Sequence, residues 1–336
     1  MWYNSVMEIQ GKRPGSAIWG WVAAFVAIFA WSVTFANTRA LLGDFSSLEI
    51  MIVRFTLAWA LLQLMVAVGR DNAAANEAIR RSGRLRVELL CLGLGAAGIV
   101  IYQLMENCAI YYTGAGNVAI LVAFGPIATA VMAKVLRNDK HLTIPFLVGS
   151  LIAVAGVAIL MGNDKETAFR NRILGDAMAL VAMMMWGVYS VIVDRINELG
   201  VPPLHTTCKS YFWGLLLMVP MALWGLTEGG RAALDGSFAV TLDAGTNAAR
   251  FMRPMNLVNL GLLGILASAA SYVLWNYACG VLGVVRTTIG IFLIPLFGVV
   301  FAVAFLGERL TGTTVNGGLV IIVGVVLANL ASGRRT

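Results

Sequence analysis

The sequence predicts an all-α membrane protein in which ten transmembrane helices form two inverted-topology five-helix repeats. Three observations lead there. Of the 336 residues, 59% are hydrophobic and 12% charged, with a mean hydropathy of +0.83, whereas a soluble domain carries about 25% charged residues. The apolar residues gather into runs of roughly 20, the length that crosses a bilayer as a helix. The chain is also duplicated. A shift of 169 residues lays Gly95 on Gly264, Asn107 on Asn276, Ala109 on Ala278, Gly114 on Gly283 and Pro126 on Pro295, and a shift of 155 lays Trp31 on Trp186 and Arg54 on Lys209. With an odd number of spans in each copy, the second copy is upside down relative to the first, an arrangement typical of secondary transporters.

The elements follow in order. Residues 1–16 form a cytoplasmic segment. The run at 17–36 follows Lys12-Arg13 as a signal peptide would, but it is nearer a full span than a short h-region and is expected to be retained. Runs at 48–69, 87–109, 114–135 and 142–161 complete the first repeat, 17–161. An outer linker at 162–172 leads to the second repeat, 173–331, with runs at 173–193, 205–224, 257–278, 284–306 and 313–331, and a tail at 332–336 ends the chain. The two registers differ by one insertion, because the connection at 69–87 is matched by a longer outer loop at 225–256. Helices are required because the bilayer interior offers the backbone no partners, and the long continuous runs do not alternate as β-barrel strands do.

Charge sets the orientation. With a cytoplasmic N-terminus, the first copy places Lys12, Arg13, Arg70, Arg80, Arg81, Arg84, Arg86, Lys134, Arg137 and Lys140 inside, against Arg39, Lys165, Arg170 and Arg172 outside. The positive-inside rule then puts both termini in the cytoplasm, in a bacterial inner membrane. The net charge of +7 resides in these joints, so no nucleic-acid partner is expected. Cys91, Cys108, Cys208 and Cys279 lie in or beside apolar runs without paired spacing, and neither a disulfide framework nor a metal site is indicated. The partners expected are the lipid bilayer and a small-molecule substrate, with no cofactor. Nothing sets an oligomeric state, and a monomer is compatible with the sequence.

The segment Phe305-Leu306-Gly307-Glu308-Arg309-Leu310-Thr311 lies between a run bearing Pro295 and a last run bearing Gly317, Gly318 and Gly324. It resembles the EamA repeat of the drug/metabolite transporter superfamily, and a degenerate first copy lies at 136–142 after Pro126. The resemblance covers essentially the whole chain from about residue 17. It implies a central cavity bounded by helices one to four and six to nine, with helices five and ten at the side. Members move amino acids, nucleotide sugars, other metabolites or toxic compounds. The first-helix glutamate that binds protons and drugs in small four-helix relatives has no counterpart, since neither 17–36 nor 173–193 carries a mid-membrane carboxylate.

Ionisable residues inside a membrane need a partner or a task. Arg54 and Glu106 fall at similar depths and admit two readings: a salt bridge locking adjacent helices, which the general behaviour of buried charges favours, or a site for a zwitterion. In the second, Arg54 takes a carboxylate and Glu106 an ammonium or a proton. Lys209 is the counterpart of Arg54 and is expected to snorkel to the interface, whereas the counterpart of Glu106 is Trp275. Helical spacing groups Tyr102, Gln103, Glu106 and Asn107 against Ser268, Ser271, Tyr272, Trp275 and Asn276, as cavity lining or as hydrogen bonds between packed helices. Trp31 and Trp186, with Tyr189 beside the latter, are further cavity candidates. Pro126 and Pro295 are candidates for gating or for static kinks. Gly149 and Gly156, like Gly317 and Gly324, mark close helix contacts. Asn117 suits a cap or packing bond, and Asp176 suits a helix start.

These residues favour a secondary transporter working by alternating access, with amino acids or related zwitterions the first substrate class, export the direction implied by the resemblance, and cationic or multidrug compounds the alternative. A channel and an intramembrane enzyme are the other classes. Ile173-Leu174-Gly175-Asp176 lacks the first glycine of a Gly-x-Gly-Asp protease motif, and no His-Glu-x-x-His occurs.

Overall fold

The computed structural model describes residues 14–69, 72–161, 171–306 and 312–333. Most of the EamA-like motif at 305–311, most of the linker at 162–172, most of the N-terminal segment and the last three residues of the tail lie outside them. The first half forms α1 (Pro14–Ser32), α2 (Thr34–Leu41), α3 (Ser47–Val68), α4 (Asn72–Ser82), α5 (Arg84–Leu94), a π-helical stretch (Gly95–Ile101), α6 (Tyr102–Thr113), α7 (Ala115–Val122), α8 (Gly125–Arg137) and α9 (Ile144–Met161). The second half forms α10 (Arg172–Glu198), α11 (Pro203–Gly225), α12 (Glu228–Ala232), α13 (Ala244–Phe251), α14 (Pro254–Gly261), a second π-helical stretch (Leu262–Ala270), α15 (Ser271–Leu282), α16 (Val284–Thr288), a 3-10 stretch (Ile289–Leu293), α17 (Ile294–Leu306) and α18 (Gly312–Gly333).

The protein is an all-α, multi-span membrane protein. Among the described residues, eight helical runs are long and apolar enough to cross a membrane, or nine if α11 and the segment after it, bent by 100°, count as one span. Among the described residues the run expected at 284–306 is apolar over Val284–Val300, with a 3-10 stretch at Ile289–Leu293 within it. Proline is the physical cause at hand. Pro295 cannot donate to the carbonyl of Ile291, nor Pro126 to that of Val122, and the chain breaks at both places, with α7 ending at Val122 and α8 starting at Gly125.

Residues 169 apart share more than identity. Gly114 (φ 87°) and Gly283 (φ 85°) both turn the chain into the next helix through a conformation that side chains resist. The π-helical stretches end at matched places as well, since 95–101 shifted by 169 becomes 264–270, inside Leu262–Ala270.

The inserted loop at 225–256 is ordered, holding α12 and α13. It is tied to the start of α3, where Ser46 and Glu49 form a capping box. The Ser46 hydroxyl donates to the Ala239 carbonyl (2.6 Å), the Leu48 amide to the Ser237 carbonyl (3.0 Å) and the Thr241 amide to Glu49 (2.9 Å). Asp44 accepts from Asn256 and from Arg253, and these bonds hold its carboxyl below the ordinary range.

Helices α9 and α18 pack through glycine. A Cβ at Gly149 would stand 2.5 Å from the Ala328 amide nitrogen, and one at Gly156 2.5 Å from that of Ile321. Gly156→Val is therefore expected to cost about 1–3 kcal/mol through overpacking, read as a lower melting temperature in detergent. Gly261→Ala, whose Cβ meets nothing within 4 Å, should change it little.

Candidate functional site

A cavity lies where α1 and α2, α3, α6, α10 and α15 converge on the two proline-associated breaks. Its wall includes Trp31, Arg54, Tyr102, Gln103, Glu106, Trp186 and Tyr272, seven of the ten residues singled out from the sequence. Its narrow volume, about 30 Å³, has room for one or two waters. An amino-acid-sized solute therefore requires the helices to part. Val122 and Ile291, whose carbonyls the prolines deprive of their usual donors, are both in the wall.

Arg54 is 3% exposed. Its Nε donates to the Ser268 hydroxyl (3.0 Å) and its Nη1 to Gln103 Oε1 (2.9 Å), and Nη2 has no acceptor among the described residues. The same Gln103 donates through Nε2 to the Tyr272 hydroxyl (3.1 Å). Glu106, 8% exposed, accepts from the Tyr102 hydroxyl (2.5 Å). Arg54 and Glu106 thus line one cavity but form no salt bridge, contrary to the locking pair that burial alone favours. Each is held instead by neutral side chains.

Around them lies an aromatic wall. Trp31 meets Trp186 edge-on with ring centroids 5.5 Å apart, Tyr272 at 5.6 Å and Trp275 at 5.0 Å, and Tyr102 contacts Trp186 at 5.2 Å. The Trp31 Nε1 donates to the Ala267 carbonyl of the second π-helical stretch (2.8 Å). The matched Trp186 Nε1 is buried without an acceptor among the described residues.

The other three candidates stand behind the wall. Tyr189 stacks on Trp186 at 5.3 Å and donates to Asn276 Oδ1 (2.9 Å). Trp275 is fully buried against Trp31 and Trp186. Ser271 bonds back to the Leu266 carbonyl (2.8 Å) in its own helical turn region, so its hydroxyl is spent on the backbone. One further expectation changes. Lys209 pairs with Glu88, which also accepts from Trp213 Nε1 (3.0 Å), rather than snorkelling alone. Asn117 and Thr113 both donate to Asp176, joining α6, α7 and α10. Sequence reasoning missed Met183, although it lies one turn before Trp186 and faces the same cavity.

Two contacts link residues that the duplication relates. Gln103 and Tyr272, 169 apart, share a hydrogen bond, and Trp31 stacks edge-on with Trp186, its partner at offset 155.

This all-helical membrane protein, with a cavity lined by charged and aromatic side chains, belongs to the class of small-molecule transporters. The comparisons give the family. The EamA-like transporter family model matches residues 18–162 and 173–330, and the chain belongs to that family. The chain is 24% identical over 324 residues to the "Probable terminal-alkyne amino-acid exporter" of Streptantibioticus cattleyicolor, covering 96% of this chain and 97% of that protein. It is 26% identical over 307 residues to an "Uncharacterized transporter" of Archaeoglobus fulgidus, covering 90% and 94%. A solved crystal structure superimposes with a TM-score of 0.70 at 17% identity, covering 96% of this chain and 99% of that one, which supports the fold.

Gln103 carries the cavity's polar frame. Gln103→Leu should strand both the Arg54 Nη1 and the Tyr272 hydroxyl and cost about 1–3 kcal/mol, whereas Gln103→Glu, which keeps an acceptor for Arg54, should melt nearer the parent protein in the same detergent.

Proposed function

We propose that this transporter moves an amino acid or a related zwitterion, as an exporter, by alternating access around the central cavity. The observation that carries the reading is the separation of Arg54 from Glu106 within one wall. Two opposite charges buried together in a low dielectric attract strongly, and holding them apart on neutral partners suits a ligand that brings both a carboxylate and an ammonium. The free Nη2 of Arg54 and the unpartnered Trp186 N–H offer further donors to a carboxylate. The relative's printed name supports the same substrate class and direction.

The two family segments are read as inverted five-helix repeats with both termini cytoplasmic. In that reading the breaks at Pro126 and Pro295 are hinges, and they border the cavity through Val122 and Ile291. A multidrug or cationic substrate is the second reading, favoured by Trp31, Trp186, Tyr102 and Tyr272 around a single carboxylate, since aromatic faces attract cations.

Purified protein in liposomes should catalyse saturable counterflow of at least one amino acid. Arg54→Ala and Glu106→Gln should each lower that flux by roughly tenfold or more, the loss expected when a charged hydrogen-bonding partner is removed. Full transport in both variants, with lowered thermal stability, would make the charges structural. Counterflow confined to cationic compounds would favour the second reading.

A further inference from the structure

The described ion pairs that join the two family segments sit at two levels. At one, Glu49 pairs with Arg250 and Asp44 with Arg253. At the other, Arg137 pairs with Asp194 and Glu198, and Lys209 with Glu88. These levels are opposite faces of the membrane. From Ser47 to Arg137 the chain makes three successive crossings, Ser47–Val68, Arg84–Thr113 and Ala115–Arg137, so the start of α3 and the end of α8 lie on different sides. Glu88 stands at the start of α5, on the same side as Arg137. Between the two levels lies the narrow cavity.

The Glu49 knot is the more buried of the two principal pairs, with side-chain exposures of 12% for Arg250 and 10% for Glu49. Arg250 grips both oxygens of Glu49, through Nη1 (2.9 Å) and Nη2 (3.1 Å), and its guanidinium lies over the Phe45 ring at 4.6 Å. Glu49 also accepts the Ser46 amide (2.9 Å) as the capping-box residue of α3. Arg54 is five residues further along this unbroken helix, about 7.5 Å in rise, so a shift at Glu49 is carried to the cavity's cation. The matched start of α11 has no side-chain cap, and Leu204 occupies the position of Glu49 at offset 155.

We propose that these pairs are two opposed latches, with Glu49 the positioning residue of one and Asp194 of the other, and that transport proceeds by releasing one face while the other stays shut. Rocking one segment against the other must separate whichever pairs bridge them on the opening side. With both sets made, the cavity between them is narrow, about 30 Å³. The inference rests on the alternating-access reading but on no particular substrate.

The test needs no substrate. A cysteine placed in the cavity wall, Thr34→Cys, is labelled in sealed vesicles with a membrane-impermeant maleimide supplied to one face at a time. The native cysteines, all four buried, give the background. Glu49→Gln keeps a residue suited to the capping box but removes the charge. It should raise labelling from the face carrying 225–256 by roughly tenfold and lower it from the other. Asp194→Asn should do the reverse. Reversing the pair, Glu49→Arg with Arg250→Glu, should return labelling to within about threefold of the parent, as expected when only the sign of a pair is exchanged. Should Glu49→Gln not fold, Arg250→Lys, which keeps charge but loses the two-toothed grip, should shift labelling in the same direction to a smaller extent. Equal changes from both faces, or unchanged labelling with a lowered melting temperature, would overturn the latches. Amino-acid counterflow that fails while the opposite shifts occur would count against the substrate reading alone.

Discussion

A guanidinium buried within a membrane must be surrounded by fixed acceptors, and much of this architecture can be traced to how Arg54 meets that requirement. Its partners come from distant parts of the chain: Gln103 from the helix after the first π-helical stretch, and Ser268 from within the second. Gln103 in turn fixes Tyr272, and the Ser268 carbonyl accepts the Tyr211 hydroxyl (2.8 Å). Four helical runs are thereby registered around one charge. The π-helical turns contribute because wider turns present carbonyls that side chains can reach, and Ala267 and Ser268 both receive such donors.

The two halves solve the same problem differently. Arg54 is held by neutral groups, whereas its counterpart Lys209 is neutralised by Glu88. Glu106 faces the cavity where the second half has the fully buried Trp275. Trp31 spends its N–H on a backbone carbonyl, whereas Trp186 does not. Beside Trp186 the Tyr189 ring lies directly against Gly98, where no Cβ could fit, and the matched pair is Thr34 with Ala267. The charged side chains of the cavity wall, Arg54 and Glu106, both come from the first half, whereas its aromatic side chains come from both.

Much of this was legible beforehand. Hydropathy gave the helical membrane class, the offsets gave the duplication, and the scarcity of charge in the runs pointed to Arg54 and Glu106. The offsets identify equivalence and not contact, which is why the partners of Arg54, the Glu88 that meets Lys209 and the inward packing of Trp275 were not foreseen. Equivalence and contact coincide at Gln103 with Tyr272. The loop at 225–256 read as an insertion because the repeat offset changes from 155 to 169 across it, yet a bidentate arginine pair and a shared helix cap make it part of the bundle.

The central claim is that Arg54 and Glu106 are kept apart to recognise opposite charges on one small molecule. The most direct measurement compares equilibrium binding to the purified protein of an amino acid, its decarboxylated amine and its deaminated acid. The account predicts that the amino acid binds at least about tenfold more tightly than either relative, with Arg54→Ala erasing its advantage over the amine and Glu106→Gln its advantage over the acid. Equal binding of all three, or tightest binding of the amine, would contradict it.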